Sequence, residues 1–224
     1  MIDQGQDRFS VHFIRRSLFL AMRILFRIEH HGIENIPAHG PLIITPNHVT
    51  YFDPFWISVK IYRAVRFMAW DKIFAIPIAG AIFRWLGAFP VNLEAPEFGA
   101  YKNALTILQK QEALMIFPEG GRSPDGTLMP FKEGAARLAL KTGASILPVL
   151  VEGGEHVWSP KMFIPRPGKV MVNYLRPIAV PPTPPGKRDN FEKAAAALTR
   201  QIHDALATAL RKHPVRAGCA GSGN

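Results

Sequence analysis

An α/β layered domain, with a mixed or largely parallel sheet flanked by helices, is what this sequence predicts, and three observations lead there. Short continuous apolar runs such as Leu42-Ile43-Ile44 and Ala113-Leu114-Met115-Ile116-Phe117 read as buried strands. Between them lie segments with apolar residues at helical spacing, so that strand and helix alternate along the chain. The length of 224 residues, 48% of them hydrophobic and 20% charged, is enough for one well-buried core and does not require two.

Residues 1–29 are expected to carry a membrane-surface amphipathic helix. From Phe9 to Ile28 the chain is rich in Phe, Leu, Ile and Arg and has no acidic residue. Wound at about 100° per residue, His12, Arg16, Arg23 and Arg27 share one face, and Ile14, Leu18, Ala21, Leu25 and Ile28 the other. The pattern suits the interface of an anionic bilayer, with Arg15 and its neighbours near phosphates, and equally a helix packed on the domain. Residues 30–213 are expected to form the domain itself. His31 to Pro37 reads as an edge segment leading through a Gly/Pro turn to a strand over Pro41 to Pro46. Asp53-Pro54 marks a helix start, with Asp53 as the cap and Pro54 at the first helical position.

Ala64 to Ala69 reads as the next strand. Ile73 to Leu86 is mostly apolar but broken by Pro77, Gly80 and Arg84: too short to span a bilayer, suited to a buried helix, to covering a site or to dipping into a membrane. Gly87 to Asn92 reads as a strand, Glu97 to Gln111 as an amphipathic helix, Ala113 to Phe117 as a buried strand and Glu133 to Thr142 as a helix. Two further strands are expected over Ser145 to Val151 and Lys169 to Leu175. A stiff Pro181 to Pro185 connector leads to a last helix with Phe191, Ala195, Leu198, Ile202, Ala205 and Ala209 at helical spacing. The tail 214–224 has nothing to bury and is expected to be disordered.

The formal net charge of +10 calls for an anionic partner: nucleic acid, an anionic lipid surface or a phosphorylated substrate. Zinc-finger spacing and RRM-type aromatic motifs are absent, and the densest basic run lies on an otherwise apolar helix, which argues against nucleic acid. The single cysteine, Cys219, excludes an intrachain disulfide or a Cys-based metal site. No signal peptide or membrane-spanning run is recognisable.

Two polar clusters stand at strand ends. Asn47-His48-Val49-Thr50-Tyr51-Phe52-Asp53 sits where a strand hands over to a helix, and His48 lies five residues before Asp53. A loop folded back on itself lets an Asp53 oxygen accept the imidazole proton, fixing the tautomer of a general base; the plainer reading makes Asp53 a cap and His48 a loop residue. Phe117-Pro118-Glu119-Gly120-Gly121-Arg122-Ser123 brings a carboxylate, two glycines, a guanidinium and a hydroxyl to the end of another strand. Glycines let backbone N–H groups approach an anion and Arg122 can grip phosphate oxygens in bidentate fashion; a Gly-rich turn with a surface salt bridge is the plainer alternative. In α/β sheets ligands gather at such strand ends.

Together, in this order and about seventy residues apart, the clusters resemble the glycerolipid acyltransferase family typified by 1-acylglycerol-3-phosphate acyltransferases. Its first motif, Asn-His, four residues and Asp, is matched by Asn47, His48 and Asp53. Its third, Phe-Pro-Glu-Gly-x-Arg-Ser, is matched by Phe117, Pro118, Glu119, Gly120, Arg122 and Ser123. Phe131-Lys132-Glu133-Gly134 and Ile146-Leu147-Pro148-Val149 are similar to its later segments, so that the resemblance runs from about Gly32 to Gly154. It implies transfer of a fatty acyl group from acyl-CoA or acyl carrier protein to a hydroxyl of a lysolipid, most readily 1-acylglycerol-3-phosphate, with no metal or other cofactor.

In that reading His48 and Asp53 are catalytic, and Asn47, Glu119, Gly120, Gly121, Arg122, Ser123 and Lys132 bind substrate. The protein is expected peripherally or monotopically on the cytoplasmic face of an anionic membrane. One position departs from the family's second motif, which resembles Gly-x-Ile-x-Val-x-Arg: Leu93 stands where the arginine thought to hold the acceptor's phosphate is expected. Either Arg122, Lys132 or another cation takes that role, or the acceptor is another lysolipid such as a lyso-aminolipid. Hydrolysis of a thioester by the same His48 and Asp53 chemistry is a further alternative. An apolar tunnel built with Phe74, Ile78 and Phe83 would set the acyl chain length.

Overall fold

The computed structural model describes residues 26–91, 98–180 and 188–212. Its seven strands are β1 (Phe26–His31), β2 (Leu42–Pro46), β3 (Val65–Trp70), β4 (Ala88–Val91), β5 (Ala113–Met115), β6 (Ser145–Glu152) and β7 (Gly168–Tyr174). They form one sheet in the order β1-β7-β6-β2-β5-β3-β4. Every neighbouring pair is parallel except β6 and β7, which run antiparallel through Val149↔Tyr174 and Glu152↔Met171. The sheet is therefore mixed, within the range the sequence predicts.

Helices cover both faces. The side chains of β2 alternate between them: Leu42 and Ile44 pack with Trp56, Ile57, Phe74 and Val157, whereas Ile43 packs with Leu108, Leu138 and Ile202. The first layer contains α1 (Asp53–Ser58), α2 (Asp71–Phe74), α3 (Pro77–Trp85) and α6 (Gly154–Trp158). The second contains α4 (Phe98–Gln109), α5 (Gly134–Thr142) and α7 (Arg188–Lys212). A central strand buried on both faces has no polar side to show, which is why β2, β5 and β6 read as uninterrupted apolar runs.

Several expectations change. Phe26–His31 is a strand paired in parallel with β7, so residues 26–29 belong to the sheet and not to the N-terminal helix. Phe26 and Ile28 are buried while Arg27 and Glu29 are exposed, a period of two that fits a strand edge. The remainder of that helix, 9–25, lies outside the described residues, as do Leu93, the Pro181 to Pro185 connector and the 214–224 tail. Ile73 to Leu86 is split in two ahead of Pro77, with Phe74 and Leu86 buried and Ile78 exposed, so Ile78 lines no buried tunnel. Asp53 is the first helical residue and Pro54 the second; the cap position is Phe52 and no side chain caps there. The Asp53 carboxylate is thus free to turn back on the loop before it. Among the described residues no helix is long and apolar enough to cross a membrane.

Candidate active site

β2 and β5 are adjacent parallel strands, so the loops that follow Pro46 and Met115 leave the same end of the sheet side by side. The first loop wraps around one buried carboxylate. Asp53, with no exposed surface, accepts at Oδ2 from the Val49 N–H (2.7 Å) and the Thr50 N–H (2.9 Å), and at Oδ1 from the Thr50 hydroxyl (2.7 Å). The remaining partner of Oδ2 is His48 Nδ1 at 2.7 Å. With every other contact a donor, the carboxylate acts as acceptor, so the shared proton sits on Nδ1, and in the neutral imidazole this leaves the lone pair on Nε2. Nε2 makes no hydrogen bond to a described residue, and the ring keeps 18% of its side-chain surface. Phe117 stacks on it, centroids 3.9 Å apart, which leaves the imidazole little freedom to rotate.

The second loop is sewn to the first through backbone atoms. Glu119 Oε1 accepts from the His48 N–H (3.0 Å), its Oε2 accepts from the Met129 N–H (3.2 Å), and the Ser123 N–H donates to the His48 carbonyl (2.7 Å). Burial pushes the Glu119 carboxyl up to about 7, against the two N–H groups that favour its ionised form. Gly120 has φ +70°, a conformation that favours glycine, and a Cβ there would lie 2.6 Å from Lys132 Nζ. The Lys132 side chain lies along Gly120, while the Arg122 guanidinium lies over the Tyr51 ring, its Cζ 3.7 Å from the centroid. Neither cation makes an ion pair with a described carboxylate. One cation thus stands against each loop, Arg122 on Tyr51 of the first and Lys132 on Gly120 of the second.

The expected site residues sort into two kinds. His48, Asp53, Arg122 and Lys132 present chemistry at the loop pair. Asn47, expected to bind substrate, has its amide fully engaged inside the protein: Nδ2 donates to the Val151 carbonyl (2.9 Å) and Oδ1 accepts from the Val151 N–H (2.7 Å), with the residue 2% exposed. Ser123 is also buried, its hydroxyl donating to Asp125 (3.1 Å). Glu119 holds loops together, and the Gly120 N–H closes the turn onto Phe117 O (3.1 Å), which leaves it no anion to bind. Gly121 has open space around a Cβ apart from Met129 Cε at 3.9 Å. Sequence reasoning gave no site role to Thr50 and Tyr51, or to Phe117 beyond its place in the third motif. Thr50 stands three residues before the carboxylate, the one signal that could have found it. Among the described residues no group of three or more His, Cys, Asp or Glu is placed to hold a metal ion.

This geometry can deprotonate a hydroxyl brought to Nε2. Residues 27–152 match the family model described as Acyltransferase. A chloroplast 1-acyl-sn-glycerol-3-phosphate acyltransferase of Brassica napus is 30% identical over 158 residues, 68% of this chain but 45% of that relative's length. The 1-acyl-sn-glycerol-3-phosphate acyltransferase alpha of Mus musculus is 27% identical over 207 residues, 84% of this chain and 70% of its own. The crystal structure of the 1-acyl-sn-glycerophosphate acyltransferase of Thermotoga maritima has the same fold, with a TM-score of 0.72 over 93% of this chain and 81% of that one, at 23% identity.

Proposed function

Since the chain belongs to the acyltransferase family, we propose that it moves a fatty acyl group from acyl-CoA or acyl carrier protein to a hydroxyl of a lysophospholipid, with 1-acylglycerol-3-phosphate as the acceptor. The observation that carries this reading is His48 Nδ1 held 2.7 Å from a buried Asp53, with Nε2 left open. Nε2 takes the proton of the acceptor hydroxyl as its oxygen attacks the thioester carbonyl. The C–S bond breaks, and the imidazolium returns the proton to the departing thiolate. Asp53 keeps the imidazole in its tautomer and balances the transient positive charge. Ser123 serves as no nucleophile in this scheme, because its hydroxyl is turned to Asp125. Arg122 and Lys132 hold the acceptor's phosphate, and no step is assigned to a metal ion or other cofactor.

The acceptor arrives in a membrane, so the protein works at the cytoplasmic face, attached peripherally or monotopically. Arg15, Arg16 and Arg23 contribute about 1 kcal/mol each where they reach an anionic surface. Purified protein should transfer labelled acyl groups to lysophosphatidic acid, and His48→Ala should lower the rate about 100-fold to 10,000-fold. Near-normal transfer by His48→Ala would remove the general base from the scheme. Preference for a lyso-aminolipid in a panel of acceptors would make Leu93 a specificity feature, and release of free fatty acid without an acceptor would identify a hydrolase.

A further inference from the structure

Large apolar side chains left in water gather at one end of this molecule. Tyr51, Trp70, Ile76, Ile78, Phe163 and Ile164 are all exposed, and the topology places them together. β3 runs parallel to β5 and β5 to β2, so Trp70 and the α2–α3 corner that follows it stand at the end that bears His48. β7 runs antiparallel to β6, which brings its first residue, Gly168, and the preceding loop 159–167 to that same end. Among the described residues the other exposed large residue of this kind, Tyr62, lies before β3 at the opposite end.

The 159–167 loop is built to project. Its stem is closed by the Arg166 N–H donating to Val157 O (2.8 Å) and the Met162 N–H donating to Ser159 O (2.9 Å). Trp158 Nε1–H donates to Met162 O (3.0 Å), and the Trp158 ring rests on Phe52 and Tyr51, with centroids 4.7 and 5.3 Å apart. What this bracing holds out is a fully exposed Phe163 beside Ile164 at 76% exposure, flanked by exposed Lys161 and Arg166. On the α2 side Lys72 lies over the Trp70 ring, 4.7 Å from its centroid. Apolar tips rimmed by cations, on a chain of net charge +10, are complementary to acyl chains beneath anionic headgroups.

We propose that the His48 end of the sheet is itself a membrane-contacting surface, on which Phe163 and Ile164 enter an anionic phospholipid bilayer. It is a contact separate from residues 1–25, and it sets the mouth of the candidate site against the bilayer. The proposal draws on the acyl-transfer reading for the surface's use, and contact and catalysis are therefore measured separately. In the full chain with Cys219→Ser, a polarity-sensitive dye is placed through Phe163→Cys or, as the comparison, Tyr62→Cys. Phosphatidylglycerol vesicles should shift the emission of the first to the blue and leave the second unchanged. Phe163→Ser/Ile164→Ser should weaken vesicle partition about tenfold or more, two buried apolar side chains being lost. It should slow transfer to an acceptor embedded in vesicles yet leave transfer to a short-chain, monomeric acceptor within about twofold. No shift at 163, an equal shift at 62, or a shift produced by raising protein concentration without vesicles would overturn it, the last making a second copy the occupant. A vesicle-dependent shift at 163, with the wild-type protein inactive on both the embedded and the monomeric acceptor, would uphold the surface and reject the acyl-transfer reading.

Discussion

A guanidinium held over an aromatic ring is steered without being neutralised, and that is the state of Arg122 above Tyr51. A carboxylate in the ring's place would orient the arginine equally well but cancel the charge an anionic acceptor needs. Tyr51 is therefore a positioning residue, acting through Arg122. Losing a cation–π contact of about 0.5–1 kcal/mol at an exposed ring should raise the acceptor KM in Tyr51→Ala by about 2-fold to 5-fold with kcat little changed, while Tyr51→Phe keeps the ring and near-normal constants. A fall in kcat at unchanged KM would instead tie Tyr51 to the His48 loop itself. The His48 and Asp53 pairing was legible in the sequence because both groups lie within one short loop. The Tyr51 and Arg122 pairing was not, since its members sit on different strand ends that only the sheet brings together. The stacking of Phe117 on His48 was hidden for the same reason.

At the scale of elements, the sheet is what holds His48 in place, and Asn47 is the link. Its amide pairs with the backbone of Val151 in β6 as another strand residue would, extending the β2–β6 pairing beyond its last register pair, Pro46↔Val149. Gly154 closes the same corner: a Cβ there would meet Val49 Cγ2 at 2.7 Å and Thr50 Cγ2 at 2.8 Å, so the start of α6 packs directly on the loop that carries the base. Asn47→Ala leaves a buried N–H and carbonyl of Val151 without partners and should cost about 2–3 kcal/mol of stability, read from urea unfolding. Loss of activity at unchanged stability would restore Asn47 to the substrate-binding role expected from the sequence.

The central strands were readable because burial on both faces leaves a continuous apolar run. β1 was not, because Phe26-Arg27-Ile28 continues the basic, apolar composition of the segment before it and six residues are few in which to see a period of two. The break between α2 and α3 was foreshadowed by Pro77.

Strand order is a property of the whole molecule, and the alternation of strands and helices does not contain it. Nothing local told that β7 would turn antiparallel against β6 and pair with β1, yet this one reversal brings the 159–167 loop to the His48 end. It also sets Asn173 of β7 beside Glu152 of β6, its Nδ2 donating to Oε2 at 2.7 Å, while Oε1 is buried with no partner among the described residues. Burial, with the nearby charge of Glu155, pushes the Glu152 carboxyl up to about 7, against the Asn173 hydrogen bond. The consequence for stability follows from proton counts. Between the ordinary glutamate value of 4.5 and about 7 the folded protein holds a proton that the unfolded chain releases, so stability falls as pH rises through that window. Glu119, raised to about 7 by its own burial, adds a slope of the same sign. Glu152→Gln keeps an acceptor for Asn173 and removes one of the two ionisations. The melting temperature of the variant, measured relative to wild type, should therefore rise progressively from about pH 4.5 to about pH 8. Parallel curves across that range would show that Glu152 is as readily ionised in the folded protein as in the unfolded chain.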